Sequence, residues 1–279
     1  ACSCPTVQIS QFLDRLFQPL VEQLPTYVKD TNHAIHLFQD FHFPSNTDTR
    51  LLFTMDITSL YTNIPHKDGL TALQYFLSRS PINIHVPTIL RLAELVLTLN
   101  SFVFGDKHYV QTSGVAMGTR MGPSYACLFV GHIESQIFAQ YTGPVPALFK
   151  RFIDDCVGVW THPESELLNF IHYINQFHPS LKFTHDISAS SLPFLDIQLT
   201  IPPDSDTLST SVHYKPTDSH SYLLFSSSHP SSTRHSIPFS QFLRLRRLCT
   251  SDSDFLTRAQ EMVTFFTARG YPHDLVERA

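Results

Sequence analysis

Apolar residues at Phe12, Leu13, Leu16, Phe17 and Leu20 follow a helical spacing, which predicts a helix from Ser10 to Leu24 softened at Pro19. Pro25 and Pro44 bracket a second helical stretch with Ile35, Leu37, Phe38 and Phe41 apolar. Leu51 to Ile57 is a short run rich in strand formers that delivers a carboxylate, Asp56, at its end. Residues 66–99 read as two helices split at Ser80-Pro81. Ser101 to Gln111 reads as a hairpin turning at Gly105-Asp106. A glycine-punctuated loop over 113–123 leads into a long helix, about Ser124 to Tyr141, closed by Pro144 and Pro146. Phe149 to Trp160 predicts a second hairpin with Asp154-Asp155 at its tip. A helix over 163–177 and strands near 181–186 and 194–201 follow, then a Ser/Pro-rich stretch at 202–206. A helical segment closes the pattern, about Ser240 to Arg269, broken at Thr250 to Ser253. Strands and helices alternate irregularly, without repeats or heptads, which indicates an α+β fold.

Composition agrees with a folded chain. Of 279 residues, 42% are hydrophobic and 12% aromatic, while 23 Phe against 9 Gly point to a core of large rings. Disorder is excluded. The net charge of -5 runs against a surface that grips phosphates, since such surfaces are usually basic. Its distribution is uneven: residues 1–208 carry 11 Lys/Arg against 18 Asp/Glu, and residues 209–279 carry 8 against 6. Five scattered cysteines and an N-terminal stretch interrupted by Gln8, Gln11, Asp14 and Arg15 indicate no disulfide scaffold and no signal peptide, so an intracellular, reducing setting is expected. The best apolar run, Ile89 to Val96, contains Arg91 and Glu94, so no membrane span is expected.

The chemistry concentrates in two strings, LLFTMDITSLYTNIP (51–65) and LFKRFIDDCVGVW (148–160). Taken singly, a carboxylate at a strand end is a turn-former or helix cap. Together, Asp56, Asp154 and Asp155 match the needs of two-metal phosphoryl transfer, in which clustered carboxylates hold two divalent ions about 4 Å apart. Magnesium prefers such hard oxygen ligands. Between them, QTSGVAMGTRMGPSYA (111–126) carries Gly114, Gly118 and Gly122, which free the backbone to approach a nucleotide, or form a plain loop before a helix. Cys2, Cys4, His33 and His36 match no common zinc spacing. Asp56-Ile57-Thr58 lacks the glycine of an aspartic-protease turn, and Cys156 reads as a small strand hydrophobe.

In this order the motifs resemble the reverse transcriptases of Penelope-like retroelements, relatives of telomerase catalytic subunits. The resemblance runs from TMDITSLYTNIP through GVAMGTRMGPSYA and RFIDD to YKPTDSHSYL, HPSSTRHSIPFSQFLRLRR and ARGYP. It implies an RNA-directed DNA polymerase with a right-hand palm, an antiparallel sheet with helices on one face, followed by a helical thumb. The implied division is 1–50 as a remnant of the fingers, 51–201 as palm and 202–279 as thumb. Asp56 matches the first metal ligand, Asp154 and Asp155 the second pair, and the Ile57 carbonyl would complete the metal shell. Tyr61 matches the ring that blocks a ribose 2′-hydroxyl. Gln111, Gly114 and Gly118 match the segment that packs on incoming nucleotide and template. Lys182 falls where a general acid for pyrophosphate would lie, or is an exposed strand lysine. LPFLDI (192–197) resembles the primer-grip hairpin, with Asp196 structural. Arg244, Arg246 and Arg247 would hold the template–primer backbone from the thumb.

The resemblance further implies two Mg²⁺ ions, with Mn²⁺ as a substitute, and an RNA template, a DNA primer and deoxynucleoside triphosphates as partners. It implies a nuclear location and an endonuclease in a longer parent chain. Gly122 and Cys127 stand where the family has Ala and Asn. The fingers segment of the family precedes the first residue here, so a truncated copy is expected. The alternatives are an inactive nucleic-acid-binding remnant of a mobile element and a metal-dependent nuclease using the same carboxylates.

Overall fold

A computed structural model describes residues 5–45, 47–81 and 85–279. Its elements run α1 (Val7–Val21), α2 (Thr31–Gln39), β1 (Leu51–Ile57), α3 (Leu60–Asn63), α4 (His66–Leu77) and α5 (Val86–Thr98). There follow β2 (Ser101–Phe104), β3 (Lys107–Val110), α6 (Gly122–Gln140), β4 (Leu148–Phe152), β5 (Asp155–Trp160) and α7 (Glu164–Phe177). The last elements are β6 (Phe183–Ser188), β7 (Ser191–Phe194), β8 (Ile197–Thr200), β9 (Ser209–Val212), α8 (Ser231–Leu248), α9 (Asp252–Ala268) and α10 (His273–Glu277). The α+β expectation holds. Cys2 and Cys4, of the weighed zinc set, lie outside the described residues.

The chain divides into two compact units, one of residues 1–29 and 55–186, the other of 30–54 and 187–279. This interleaves the chain, whereas the sequence suggested cuts after residues 50 and 201. The physical reason is that residues 30–54 pack against the end of the chain. Phe38 meets Phe194 edge-on at 6.0 Å, the Phe43 amide donates to the Asp206 carbonyl at 2.7 Å, and Arg50 donates to the Ser205 carbonyl at 2.6 Å.

The first unit is centred on α6, where Ser124 to Gly131 are all buried. A helix apolar on every side must lie inside the protein. Leu13, Phe17 and Leu20 of α1 and Leu73 and Leu77 of α4 supply apolar stripes to the core, each fully buried side chain contributing about 1.5–3 kcal/mol. The close approach of α4 to α6 depends on Gly69, where a Cβ would stand 1.8 Å from the Tyr125 hydroxyl. The strand order is β4-β5-β1-β6, so the two aspartate-bearing strings lie side by side. The hairpin β2–β3 forms where the Gly105-Asp106 turn placed it, and exposes Phe102, Val103, Phe104 and Val110.

In the second unit, β7, β8 and β9 make an antiparallel sheet, and α8, α9 and α10 follow. The apolar run near 194–201 is part of a hairpin, β7–β8, turning at Leu195-Asp196. Its third strand, β9, was not legible, because four residues rich in Ser and Thr carry no apolar alternation. Helix α8 starts at Ser231, nine residues before the expected Ser240, and runs through Pro238. Proline and a polar Ser/Thr/His opening argue against a helix locally. Packing overrides that preference, since Ile237 and Phe242 lie against the buried cluster Met262, Phe266, Tyr271 and Val276.

Candidate active site

The hairpin β4–β5 pairs Phe152 with Asp155, leaving Ile153 and Asp154 as a two-residue turn. The tip is therefore Ile153-Asp154, one residue earlier than the expected Asp154-Asp155, and Asp155 is the first residue of β5. Ile153 has φ 56°. A β-branched residue in the left-handed region is strained and persists only where its surroundings fix it. Ile57 of β1 donates its amide to the Asp154 carbonyl at 3.2 Å, which brings the end of β1 against this turn. Burial pushes the Asp154 carboxyl above its ordinary range, and the neighbouring Asp56 charge adds to it. The order of motifs thus brings Asp56, Ile57 and Asp154 together. One residue on, the Thr58 amide donates to the Lys182 carbonyl at 2.8 Å, while the exposed Lys182 side chain donates to Asn175 at 2.7 Å.

Tyr61 joins this site through α3. Its phenol is pushed up to about 12 by burial and by the Cys127 and Asp154 charges, so the ring stands near the aspartate turn. The Tyr61 carbonyl accepts the Val115 amide at 2.7 Å, and the Gly114 amide donates to Ile64 at 3.1 Å. Gly114 has φ 73°, and a Cβ there would stand 2.4 Å from the Tyr61 carbonyl oxygen. Only glycine lets the loop lie this close to Tyr61. Gln111 holds the loop from its other side, donating to the Ser113 carbonyl at 2.8 Å and accepting from Asn100 at 3.4 Å. Gly118, also in the left-handed region, is exposed.

Sequence reasoning missed a buried ion pair behind the turn. Arg151 of β4 donates from Nε to Glu134 Oε1 at 2.6 Å and from Nη2 to Oε2 at 3.0 Å. Its Nη1 donates to the Ile153 carbonyl at 2.8 Å, and Thr26 Oγ1 donates to Glu134 Oε2 at 2.7 Å. Its backbone is held as well, since the Arg151 amide donates to the Thr26 carbonyl at 2.6 Å. The available signal was a lone Glu in a largely apolar helix and the Arg directly before FIDD, because buried charges are almost always paired.

In the second unit, the three arginines expected to meet nucleic acid have different surroundings. Arg244 pairs with Asp196 of the β7–β8 turn, whose other oxygen accepts from Thr31 at 2.5 Å. This supports the structural role expected for Asp196. Arg246 pairs with Asp252 at 2.8 Å and stacks over Phe255. Arg247 is exposed and lines a groove of about 380 Å³ with Asn32, Ile35, His36 and Gln39 of α2. Of the three, Arg247 is the one free to meet a phosphate.

Among the described residues no group of three or more His, Cys, Asp or Glu side chains is gathered as a metal cage. The donor set at the turn nonetheless fits magnesium, which binds through one or two carboxylates together with substrate phosphates and water. Asp56 and Asp154 are such a pair, close enough for one charge to raise the other's carboxyl. The Arg151 guanidinium, whose charge partly offsets the rise at Asp154, is itself paired with Glu134. No helix among the described residues is long and apolar enough to cross a membrane.

Comparison with protein families matches residues 221–279 to the animal helix-turn-helix domain. This stretch holds α8 and α9, joined by the three residues Cys249 to Ser251, and α10. No curated protein matches the chain. Among solved structures, telomerase from Candida albicans in complex with a TWJ fragment of telomeric RNA is similar with a TM-score of 0.68 and 12% identity, over 97% of this chain and 47% of that one. Apo telomerase from Candida tropicalis gives a TM-score of 0.59 and 10% identity, over 94% and 44%. The RNA-dependent RNA polymerase of BmCPV at elongation state gives 0.51 and 8%, over 70% and 19%. The chain spans less than half the length of the telomerase chains it matches. At these identities the likeness is one of fold: this chain has the α+β fold found in telomerases and viral RNA polymerases.

Proposed function

We propose that this chain carries the polymerising site of a reverse transcriptase of retroelement type, extending a DNA 3′-hydroxyl along an RNA template. The observation that carries the reading is the meeting of β1 and the Ile153-Asp154 turn, which brings Asp56 against Asp154 with the Tyr61 ring beside them. The polymerase fold and the TMDITSLYTNIP and RFIDD motifs support it.

Asp56 and Asp154, with Asp155 and the Ile57 carbonyl, would hold divalent magnesium, which would supply Lewis-acid chemistry for lowering the pKa of the primer hydroxyl and shielding the departing pyrophosphate. Tyr61 stands against the sugar of the incoming nucleotide and bars a 2′-hydroxyl. The loop around Gly114 carries the nucleotide's other face, and Gln111 and Gly118 frame it. The first unit corresponds to a palm, and the helices of the second to a thumb whose backbone contact is Arg247. Lys182 is read as an exposed lysine just before β6, its amine donating to the Asn175 carbonyl.

The test is primer extension on a poly(rA)–oligo(dT) duplex with Mg²⁺, comparing the chain with Asp154→Asn. Extension by the parent, reduced about 10³-fold in the variant, is expected, since a lost metal ligand removes roughly 4 kcal/mol of transition-state stabilisation. Salt-sensitive duplex binding without extension by either protein would replace this reading with a non-catalytic nucleic-acid-binding one, which the helix-turn-helix match of residues 221–279 favours. Shortened products would indicate a nuclease.

A further inference from the structure

The geometry points to the Arg151–Glu134 pair as the positioning device of the catalytic turn: Arg151 fixes the Ile153 carbonyl, and through it the direction in which Asp154 presents its carboxylate. The inference rests on the metal-site reading above and adds to it two residues that bear no metal.

Arg151 is 2% exposed and Glu134 9%, so the pair is dry. Such a pair is a poor way to gain stability, because desolvation of two charges offsets most of their attraction and well-packed apolar residues do as well. What an apolar pair lacks is a donor for the Ile153 carbonyl. That carbonyl and the Asp154 amide belong to one planar peptide unit. Holding the oxygen at 2.8 Å from Arg151 Nη1 therefore holds the plane from which Asp154 begins. The need is specific to this turn, since Ile153 sits at φ 56°, where a β-branched residue relaxes unless restrained.

Arg151 is itself restrained from several sides. Glu134 takes it in a bidentate grip, and Nη2 also reaches the Cys127 carbonyl at 3.3 Å. On the opposite side, Val28 donates to the Arg151 carbonyl at 2.9 Å and Thr26 orients Glu134. The guanidinium fork is rigid and cannot follow a moving carbonyl, so the turn is located relative to α6 and the 26–28 segment. The second hairpin of the same sequence form, Phe194-Leu195-Asp196, also places a branched residue at φ 55°, and there Thr31 and Arg244 bind the aspartate itself. At Ile153 the restraint falls on the backbone, leaving the Asp154 carboxylate for a ligand.

The test compares the parent with Arg151→Met/Glu134→Leu, a volume-preserving pair, with Glu134→Gln and Arg151→Lys as single variants. Three readouts are taken: thermal unfolding, Mn²⁺ binding by electron paramagnetic resonance, and primer extension separated into kcat and the KM for nucleotide. The double variant is expected to unfold near the parental temperature. It should bind Mn²⁺ about 10–100-fold more weakly and lose kcat by a similar factor with KM unchanged, the scale seen when groups that orient metal ligands are removed. Arg151→Lys, which keeps charge but not the fork, should fall in the same direction. A double variant that binds Mn²⁺ like the parent overturns the proposal. So does one that fails to fold, since the pair is then structural. Parental Mn²⁺ binding that depends on Asp154, without extension, removes the polymerase reading while the Mn²⁺ comparison still decides the positioning role. No Asp154-dependent Mn²⁺ binding removes both.

Discussion

Replacing Gly114 with alanine tests whether the loop before α6 is held tightly against Tyr61. Two costs apply. The left-handed conformation at φ 73° costs an L-residue about 1–2 kcal/mol. The new Cβ would also lie 2.4 Å from the Tyr61 carbonyl oxygen and 2.7 Å from Thr62 backbone atoms, with no side chain able to swing aside. Overpacking of this kind costs about 1–3 kcal/mol. The expected total is about 2–5 kcal/mol. At roughly 2–4 °C per kcal/mol for a chain of this size, that lowers Tm by about 4–20 °C. Gly105→Ala is the internal control, because Gly105 is also left-handed, at φ 60°, but nothing lies within 4 Å of its Cβ position. It should show only the backbone cost, about 1–2 kcal/mol. Urea unfolding followed by circular dichroism reads both variants. Equal losses in the two would refute the close approach, and with it the placing of the Gly114 loop beside Tyr61.

Three further outcomes are expected. Arg247→Ala should weaken template–primer binding and reduce the slope of log K against log salt by about 0.9, whereas Arg244→Ala should act mainly on stability; fluorescence anisotropy at several salt concentrations separates them. Asp196 is pushed up by burial but held below the ordinary carboxylate range by Thr31 and Arg244. Its folded pKa is thus depressed, so its stabilisation is present above the unfolded value of 3.8 and disappears as pH falls through the folded value. Asp196→Asn should accordingly flatten the acid limb of a Tm-versus-pH curve below about pH 4. Tyr61→Ala should admit ribonucleotides, raising their incorporation relative to deoxynucleotides by about 10–200-fold, the range a pocket contact of 1–3 kcal/mol allows; competition assays with labelled rNTP and dNTP would show it.

The aspartate site was the most legible part of the chain. Short apolar runs ending in Asp56 and Asp154 are local signals, and strands read from residue type alone recovered both. The pair Arg151–Glu134 was not legible because a charge in an apolar run implies a partner without saying which distant element carries it. The three arginines of α8 form one basic run in sequence, yet Asp196 and Asp252 engage two of them, and such pairing depends on where distant turns fall. Helix α8 was cut short for a similar reason: Pro238 speaks locally, while the cluster that Ile237 and Phe242 pack on is assembled from residues further along.

The interleaving of the two units sets a constraint on the order of synthesis. Ala34, Ile35, Phe38 and Phe43 leave the ribosome early and are destined for burial, but Phe194 and Asp206, which Phe38 and Phe43 meet, follow only about 160 residues later. At about 5–20 residues per second, that is about 8–32 s of translation. During that interval these apolar side chains wait without their partners. A ribosome that stalls before the later segment emerges would therefore present them to chaperones.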